Sequence, residues 1–517
     1  MRNILLAILL FAVLPVAAQK DQKEALDVDC CPFDKDANAF VLFADMDMRM
    51  ERWRDVECLR VAIKKQIKIL KEDGTGAGDV EVVIYDDASS DTDDDEVLDI
   101  KASSINVVDG KVEVTEMTKK MISQQRIDDK RVSVRFAIPQ VKVGSVIKYS
   151  YSIYRRRIYD IPSWLAQDEY PVKSTHCSIQ MPGYVGYYYE QTGSHKVTMD
   201  KRETMNETRD VRFDFSYYDL PALPKNADYI YCPMDYADKI DFEVMEVLWR
   251  GQRHNFTKSQ NDVNRLLFTS KEFGGRLRQS NPLKEEMEAL NIKAIPDVME
   301  RIEATIALLK SRLRWNGKYA LVGTSLSKVL KEGSGDNADL NFVLMSMLKD
   351  AGVDCYPAVM SRRSRGKLPA NRPSIDALNT FVVAIAENPT TMHYYDCSAE
   401  NGYLDILPAE LNVDRAFILY KTNKFEEVNL QKVVSQRTFV NITAELTAEG
   451  KMTGKCVYSL SGIAAMNFRN KWFEKNDSAA FVADIEAKNG ISISQFHTTG
   501  TSDFSKSATY EYDFTID

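Results

Sequence analysis

The amino-acid sequence predicts a multidomain α+β protein, and three observations support this prediction. The chain has 517 residues, which is the length of about three ordinary domains. Short segments rich in Val, Ile and Tyr, with turn residues between them, fill residues 38–232 and again residues 430–517. Between these regions, apolar residues recur at helical spacing. We therefore expect an N-terminal antiparallel β-sandwich-like domain over 38–232, a central α+β domain over 240–415 and a C-terminal β-rich domain over 430–517.

Composition and charge narrow the function classes. Hydrophobic residues make up 44% of the chain and charged residues 28%, which is typical of a globular protein with a substantial core. The formal net charge is −9, whereas binding to a nucleic-acid backbone depends on Lys and Arg that neutralise phosphates. We expect no nucleic-acid partner.

The first 18 residues have the pattern of an export signal. Arg2 precedes an apolar run over residues 4–13, and the small residues Ala17 and Ala18 come before Gln19. This run is shorter than the stretch of about 20 residues that a membrane-spanning helix needs. We expect a signal peptide over residues 1–18, cleaved after Ala18, and no transmembrane segment in the mature chain.

Seven strands are predicted in the first part of the mature chain, because these segments are rich in Val, Ile and Tyr. They cover residues 41–49, 59–70, 80–85, 101–108, 111–118, 131–138 and 145–154. The pairs Asp73-Gly74, Asp109-Gly110 and Val143-Gly144 are turn signals between some of them.

Two features of this region have alternative interpretations. The acidic run over residues 86–99 has Glu96 where a calcium loop counted from Asp91 requires glycine, so a solvated loop is favoured. Tyr184 and the tyrosines at 187–189 form an aromatic cluster. Aromatic residues in strands are most often part of sheet packing, and the alternative is a platform that binds carbohydrate or peptide.

Helical spacing begins after this region. Residues 242–251 and 263–277 carry apolar residues at helical spacing, and a stronger helix starts at Pro296-Asp297 and continues through Leu309. We expect these helices to cover the sheet of the central domain.

A buried central helix is predicted in residues 333–352, GSGDNADLNFVLMSMLKDAG. Asp336 is a good cap for its first turn, and Gly352 suits a left-handed turn at its end. Apolar strands are expected after it at residues 355–360, 381–386 and 393–397. The start of such a helix is where thiol enzymes place a nucleophile, because the helix dipole and free amides lower the pKa of a cysteine. Here this position holds Asn337.

A basic loop over residues 362–372 connects the first two of these strands. Arg362, Arg363 and Arg365 are candidate ligand-binding residues, because arginine binds carboxylate and phosphate groups through two parallel hydrogen bonds. The alternative is a solvated loop without a ligand.

Three motifs in this region resemble the transglutaminase-like members of the papain-type fold. They are GDNAD at residues 335–339, Asn379-Thr380-Phe381 and Asp396-Cys397-Ser398. The resemblance implies that Asn337 stands at the position of the catalytic cysteine, Thr380 at that of the histidine and Asp396 at that of the aspartate. Two groups of this degenerate triad are therefore lost. An amide is not a nucleophile and a threonine hydroxyl is not a base near neutral pH, so we expect no catalytic residues.

Other cysteines do not replace the missing thiol in this interpretation. Cys355 is expected in a strand as a small buried residue. Cys397 and His393 share one face of a strand but lie about 13 Å apart, at about 3.3 Å per residue. The eight cysteines are few and irregularly spaced, and the chain has no CxxC or HExxH motif. We expect neither a disulfide scaffold nor a metal or other cofactor.

The N-terminal region carries a second resemblance. Residues 135–151, RFAIPQVKVGSVIKYSY, are similar to the bacterial domain of unknown function that precedes transglutaminase-like domains. A subgroup of that family also lacks the cysteine and histidine and has a DxN motif, like residues 339–341 here. The resemblance implies an exported, non-catalytic binding or structural scaffold in the periplasm or at the cell surface of a Gram-negative bacterium.

The expected partner of such a scaffold is an envelope protein, a peptide or a glycan. Two alternative functions stay open. One is an active cysteine-dependent transglutaminase or peptidase that acts on extracytoplasmic peptide or glycopeptide substrates. The other is a carbohydrate-binding envelope protein that uses the tyrosine cluster.

The last region is predicted to begin with a hairpin about Glu449-Gly450, formed by strands over 438–446 and 451–460. Two helices over 464–473 and 479–488 and two strands over 492–497 and 508–514 are expected to follow. Members of the family that this chain resembles usually continue with more strands. We therefore expect an incomplete terminal sheet with an edge that needs cover.

Overall fold

The computed structural model describes residues 23–88, 94–128, 130–158, 160–203, 209–224, 230, 232–249, 251–255, 259–369, 373–375, 377–433, 435–475 and 477–516. The predicted signal peptide, the middle of the acidic run and Arg372 of the basic loop lie outside these residues. Contacts divide the chain into two compact units, Met1–Phe256 and Thr257–Asp517. The three domain ranges expected from the sequence stay a prediction.

The described part of the first unit is built from strands. They are β1 Ala39–Trp53, β2 Val56–Ile69, β3 Asp79–Tyr85, β4 Glu96–Val108, β5 Lys111–Glu116, β6 Ile122–Asp128, β7 Arg131–Ala137, β8 Val146–Arg155, β9 Trp164–Leu165, β10 Val172–Met181, β11 Val185–Thr192, β12 Thr198–Glu203, β13 Val211–Leu220, β14 Lys239–Trp249 and β15 Gln252–Asn255. All seven predicted strands are confirmed, as β1 to β5, β7 and β8, with differences at their ends.

These strands form one large and two smaller sheets within the described residues. The large sheet has the order β12-β13-β10-β1-β2-β8-β4-β5 and is antiparallel except where β1 runs parallel to β10, with Val41 opposite Val172. The smaller sheets have the orders β3-β7-β6 and β11-β14-β15, with β9 beside β14. Alternate side chains point to one shared core, where Phe215 and Tyr217 are among the most deeply buried.

The turn between β4 and β5 follows directly from its two residues. Asp109 and Gly110 both have positive φ, 50° and 73°, which is the backbone that a two-residue hairpin turn requires. Glycine adopts this backbone without strain, and aspartate tolerates it better than most other residues.

The helix predicted over residues 242–251 is wrong, because residues 242–249 belong to β14. The buried residues Phe242, Val244 and Val247 are separated by two and then by three positions, instead of by two throughout. Met245 is the extra residue of a bulge between the pairs Tyr187–Val244 and Gly186–Glu246. A bulge shifts the alternation by one residue, and the resulting apolar pattern imitates a helix. The boundary predicted at residue 240 therefore falls inside a strand of the first unit.

The second unit combines helices and strands. Its helices are α1 Gln260–Thr269, α2 Lys284–Ala289, α3 Val298–Arg312, α4 Leu326–Glu332, α5 Asn337–Asp350, α6 Ile463–Lys475 and α7 Ser478–Asn489. Its strands are β16 Arg314–Trp315, β17 Ser334–Gly335, β18 Cys355–Met360, β19 Thr380–Asn388, β20 Thr391–Tyr395, β21 Ala416–Lys421, β22 Lys424–Val428, β23 Gln436–Leu446, β24 Met452–Gly462, β25 Ser492–Thr499 and β26 Ala508–Ile516.

Two larger antiparallel sheets organise this unit. The first has the order β20-β19-β18-β21-β22, and the second has the order β23-β24-β26-β25. α5 packs between α3 and the strands β18 and β19, and α6 and α7 pack on the second sheet. The edge strand β23 exposes Phe439, Ile442 and Leu446 to solvent. The expected incompleteness of this sheet stays a prediction.

α5 is the buried helix that the sequence predicts. Asp336 caps it, because its side chain accepts a hydrogen bond from the Asp339 backbone at 2.8 Å. Gly352 follows its end with φ +73°, the left-handed backbone expected there. Every residue from Asn337 to Leu348 is buried. The polar side chains on this helix therefore depend on partners inside the protein.

The other predicted helices and strands of this unit are confirmed with two changes. The helix predicted over 263–277 ends at Thr269, where Ser270 turns to extended backbone and its hydroxyl caps a separate turn of π-helix. The strand predicted over 393–397 ends at Tyr395. Asp297 caps α3 as expected, by accepting from the Glu300 backbone at 2.9 Å. None of the helices in the described part of the chain is long and apolar enough to cross a membrane.

Candidate functional site

The three positions expected to form a degenerate triad lie together at the start of α5. Asn337 is the first residue of α5, Thr380 is the first residue of β19, and Asp396 directly follows β20. All three side chains are 0% exposed. The antiparallel pairing of β19 with β18 and β20 brings these chain segments, 43 and 59 residues after Asn337, to the helix start.

Asn337 connects these elements through its side-chain amide. Its Nδ2 donates to Thr380 Oγ1 at 2.8 Å, to Asp396 Oδ2 at 3.0 Å and to the Phe381 carbonyl at 3.3 Å. Its Oδ1 accepts from the Ala320 backbone at 2.9 Å. The whole amide is therefore engaged, and it holds the helix start to the sheet.

Asn341, one turn further along α5, is a second partner of the same carboxylate. Its Nδ2 donates to Asp396 Oδ2 at 2.7 Å and to the Phe381 carbonyl at 2.9 Å, and its Oδ1 accepts from the Cys397 backbone at 3.1 Å. The DxN motif thus has a physical role here. Its asparagine donates to a buried aspartate that forms no ion pair among the described residues.

Asp396 accepts four hydrogen bonds in all. Besides the two asparagines, the Ser398 backbone donates to Oδ1 at 2.9 Å and the Ser398 hydroxyl donates to the same oxygen. Burial raises the pKa of Asp396, and these hydrogen bonds oppose that rise by stabilising the charged form. We call Asn337, Asn341, Thr380, Asp396 and Ser398 the amide–carboxylate network.

The thiols and imidazoles of the second unit lie in other surroundings. The Cys355 thiol donates to the Met345 carbonyl at 3.5 Å, and burial raises its pKa to about 12. Burial raises the pKa of Cys397 well above the usual value. His393 pairs with Asp405 at 2.7 Å and with Glu387 at 3.2 Å. Neither thiol is in a setting that favours the thiolate nucleophile.

A second carboxylate at the start of α5 is less well satisfied. Burial and the neighbouring Asp339 raise the pKa of Asp336 to about 7, although backbone amides donate to it. Asp339 itself is held by Arg276 Nη2 at 3.2 Å and by the Thr324 backbone at 2.7 Å. Gly335 and Gly323 are required here, because an added Cβ would come within 2.8 Å and 2.4 Å of the Asp339 side chain.

The basic loop lies at the outer side of this network. The Arg362 guanidinium lies over the Tyr319 ring at 5.1 Å, and Ser398 is close enough to Tyr319 to lower the pKa of its hydroxyl, which burial raises. Burial lowers the pKa of Arg362, and its Nε is buried without a hydrogen-bond partner among the described residues. Of the other candidates, Arg363 and Arg365 form a single 3-10 turn that follows Arg362.

The tyrosine cluster is part of the core of the first unit. Tyr187 and Tyr189 pack their rings against Phe213, with centroids 6.1 Å and 5.4 Å apart. Tyr188 is 44% exposed, on the other side of β11. This geometry favours the sheet-packing interpretation over a flat binding platform.

Within the described residues, no group of three or more His, Cys, Asp or Glu side chains is arranged to hold a metal ion. The expectation that the protein has no metal or cofactor stays a prediction. Sequence reasoning identified Asn337, Thr380 and Asp396 but did not assign Asn341 or Ser398 as partners of the carboxylate. The motifs around these two residues were the only signal for them.

Comparison with known proteins gives one family match. Residues 60–224 match the family described as Domain of Unknown Function with solved-structure structure, DUF3857. This match confirms the resemblance of the N-terminal region to a domain of unknown function. The fold is also similar to the crystal structure of a "putative protease" from Parabacteroides distasonis, at 11% identity over 93% of each chain and a TM-score of 0.48. No curated protein matches the chain.

Proposed function

We propose that this protein is an exported, non-catalytic relative of the transglutaminase-like papain fold, whose central domain is a binding or structural scaffold in the cell envelope. One observation supports the proposal above all others. An asparagine amide stands where this fold would carry its thiol, and that amide is locked into the amide–carboxylate network.

The network supports a structural role because its amide and carboxylate groups are engaged with one another. Both oxygens of Asp396 are occupied by donors, so this carboxylate is not available to orient a base. Asn337 is 0% exposed, so a substrate does not reach it without opening the helix start. A fully satisfied buried polar network stabilises one arrangement of its elements.

Arg362 supplies the binding part of the proposal. A buried guanidinium nitrogen without an acceptor is costly, and a ligand carboxylate or phosphate would satisfy it. The Tyr319 ring under the guanidinium orients it for such a contact. A peptide C-terminus or an acidic side chain of an envelope protein has suitable chemistry.

Activity assays on the purified mature chain test the catalytic part. We expect neither incorporation of a fluorescent amine into casein nor hydrolysis of peptide amides, and no effect of iodoacetamide. Wild-type turnover that iodoacetamide abolishes would instead support the cysteine-enzyme alternative. The variants Cys355→Ala and Cys397→Ala would then show which thiol carries it.

Cell fractionation tests the export part of the proposal. Mature protein whose N-terminal sequencing begins at Gln19, recovered from the envelope fraction of the source bacterium, is the expected result. Full-length protein that retains Met1 in the cytoplasm would contradict it.

A further inference from the structure

A cavity in the second unit lies apart from the amide–carboxylate network. It has a volume of about 450 Å³ and opens between α3, the segment after β20 and the loop over residues 500–506. Small-molecule sites usually have volumes of about 300–1,000 Å³. We call it the Lys310 cavity, after the lysine that lines it.

Lys310 carries a positive charge without a negative partner. Its Nζ donates to the Glu400 carbonyl at 2.9 Å and, over 3.4 Å, to the carbonyls of Ala399 and Gly402. No carboxylate in the described part of the chain forms an ion pair with it. Burial lowers the pKa of Lys310 to about 8, which is the sign of an ammonium that is short of stabilising charge.

Tyr395 is a second polar residue in the same wall. Its side chain is 1% exposed, and its hydroxyl has no hydrogen-bond partner among the described residues. Its ring lies 5.6 Å from Lys310 Nζ. Buried hydroxyls normally find a partner, because leaving one unsatisfied costs free energy. Lys310 and Tyr395 thus line one cavity, and neither has an anionic partner among the described residues.

Three large apolar side chains also line the cavity. Ile306, Leu404 and Phe504 line the cavity, and the Phe504 ring lies 5.3 Å from Lys310 Nζ. Arg469 holds the loop that carries Phe504.

The Arg469 side chain is 0% exposed and donates only to loop carbonyls. Its hydrogen bonds run to Gly500 at 2.9 and 2.8 Å, Asp503 at 2.8 Å, Lys506 at 2.6 Å and Phe504 at 3.4 Å. The loop is therefore fixed before any ligand arrives, and preorganisation of this kind favours binding.

Two carboxylates, those of Glu303 and Asp503, also line the cavity, and both have partners. Glu303 accepts from the Tyr403 hydroxyl, and Asp503 pairs with Lys506 at 2.8 Å. The groups that act on the charge of Lys310 are Glu400 and the Cys397 thiol, and neither forms an ion pair with it. Lys310 is thus the lining residue whose charge has no ion-pair partner among the described residues, and an anion would supply one.

We propose that the Lys310 cavity binds a small organic carboxylate with an apolar body. The carboxylate accepts hydrogen bonds from Lys310 Nζ and the Tyr395 hydroxyl, and the body packs against Ile306, Leu404 and Phe504. This site is independent of the proposed scaffold function, since it shares no residue with the amide–carboxylate network.

Titration calorimetry on the full mature chain tests the site. The probes are acetate, hexanoate, phenylacetate and 3-phenylpropanoate, each compared with its primary amide. We expect at least one of the three larger carboxylates to bind, with its amide and acetate at least about tenfold weaker, because the amide lacks the charge and acetate lacks the body. Affinity falls as pH rises through about 8, where Lys310 loses its proton.

Variants identify the groups that bind. Lys310→Met reduces affinity at least about tenfold and Tyr395→Phe about five- to tenfold, since a hydrogen bond to a charged group is lost in each. The matched control Lys331→Met removes an exposed lysine on α4 and leaves affinity unchanged. Should Lys310→Met fail to fold, Tyr395→Phe decides, because it removes only a hydroxyl that has no partner.

Three results would overturn the proposal. They are the absence of binding by all four carboxylates, equal binding of the amides, and unchanged affinity in Tyr395→Phe.

Discussion

Asp396 and Tyr395 are neighbours in the chain and both are buried, but their polar groups differ in hydrogen bonding. The Asp396 carboxylate accepts four hydrogen bonds from the amide–carboxylate network, whereas the Tyr395 hydroxyl is equally buried and accepts and donates none among the described residues. Buried polar groups that are fully satisfied stabilise a fold, and an unsatisfied one in a residue that lines a cavity is a candidate to bind a ligand. The comparison separates the part of this unit that holds it together from the part that is available for binding.

Asp396→Ala should cause the largest loss of stability, because it removes the acceptor at the centre of the amide–carboxylate network. The substitution leaves the Asn337 and Asn341 amides and the Ser398 donors buried without their acceptor, so we expect a loss of about 3–5 kcal/mol in the free energy of unfolding. Hydrogen exchange of peptides that cover α5 measures it. Asp396→Asn keeps one acceptor and should lose less. A loss under about 1 kcal/mol in Asp396→Ala would contradict the stabilising role of the network.

Arg469→Met should destabilise the loop over residues 500–506, which lines the Lys310 cavity, without affecting the amide–carboxylate network. The loop carbonyls over residues 500–506 lose their donors, and we expect a loss of about 2–3 kcal/mol in local stability. Peptides from this loop should exchange faster, those from α5 should not, and carboxylate binding should weaken. Arg469→Lys keeps the charge but not the planar fork, so its local stability should lie between those of the wild type and Arg469→Met. Equal effects on α5 would show that the two regions are one cooperative structure.

Asp336→Asn tests a buried carboxylate that has some hydrogen-bond partners but is less well satisfied than Asp396. In the folded chain the pKa of Asp336 is raised to about 7, whereas in the unfolded chain Asp336 ionises at lower pH. The folded protein therefore loses stability as pH rises from about 4 to 7. Such a shift is worth at most about 4 kcal/mol. Asparagine caps a helix as well as aspartate does. We expect Asp336→Asn to gain about 1–2 kcal/mol at pH 8 and nothing at pH 4, by thermal unfolding at both values.

Tyr395→Phe should have the smallest effect on stability and the opposite sign from Asp396→Ala. Removing a buried hydroxyl without a partner removes its desolvation cost, so we expect a gain of up to about 1 kcal/mol in the ligand-free protein. Thermal unfolding without and with phenylacetate measures both the gain and the lost response to ligand. A clear loss of stability without ligand would mean that the hydroxyl has a structural partner.

Much of the second unit could be predicted because its signals are local. The apolar spacing of α5, its cap at Asp336 and its end at Gly352 all lie within one short segment, and each acts through backbone geometry. The helix predicted over 242–251 shows the limit of such signals. One extra residue, Met245, gave a strand the periodicity of a helix, and only its pairing with β11 distinguishes the two.

The sequence by itself determined that an asparagine, rather than a thiol, begins the buried helix, because that depends only on which residue follows a helix cap. It also determined most of the strands and helices, since side-chain periodicity and turn residues act over a few positions. The tertiary structure decided which side chains become partners. The contacts of Asn341 with Asp396, and the shared cavity of Lys310, Tyr395 and Phe504, join segments far apart in the chain, and no local pattern encodes that convergence.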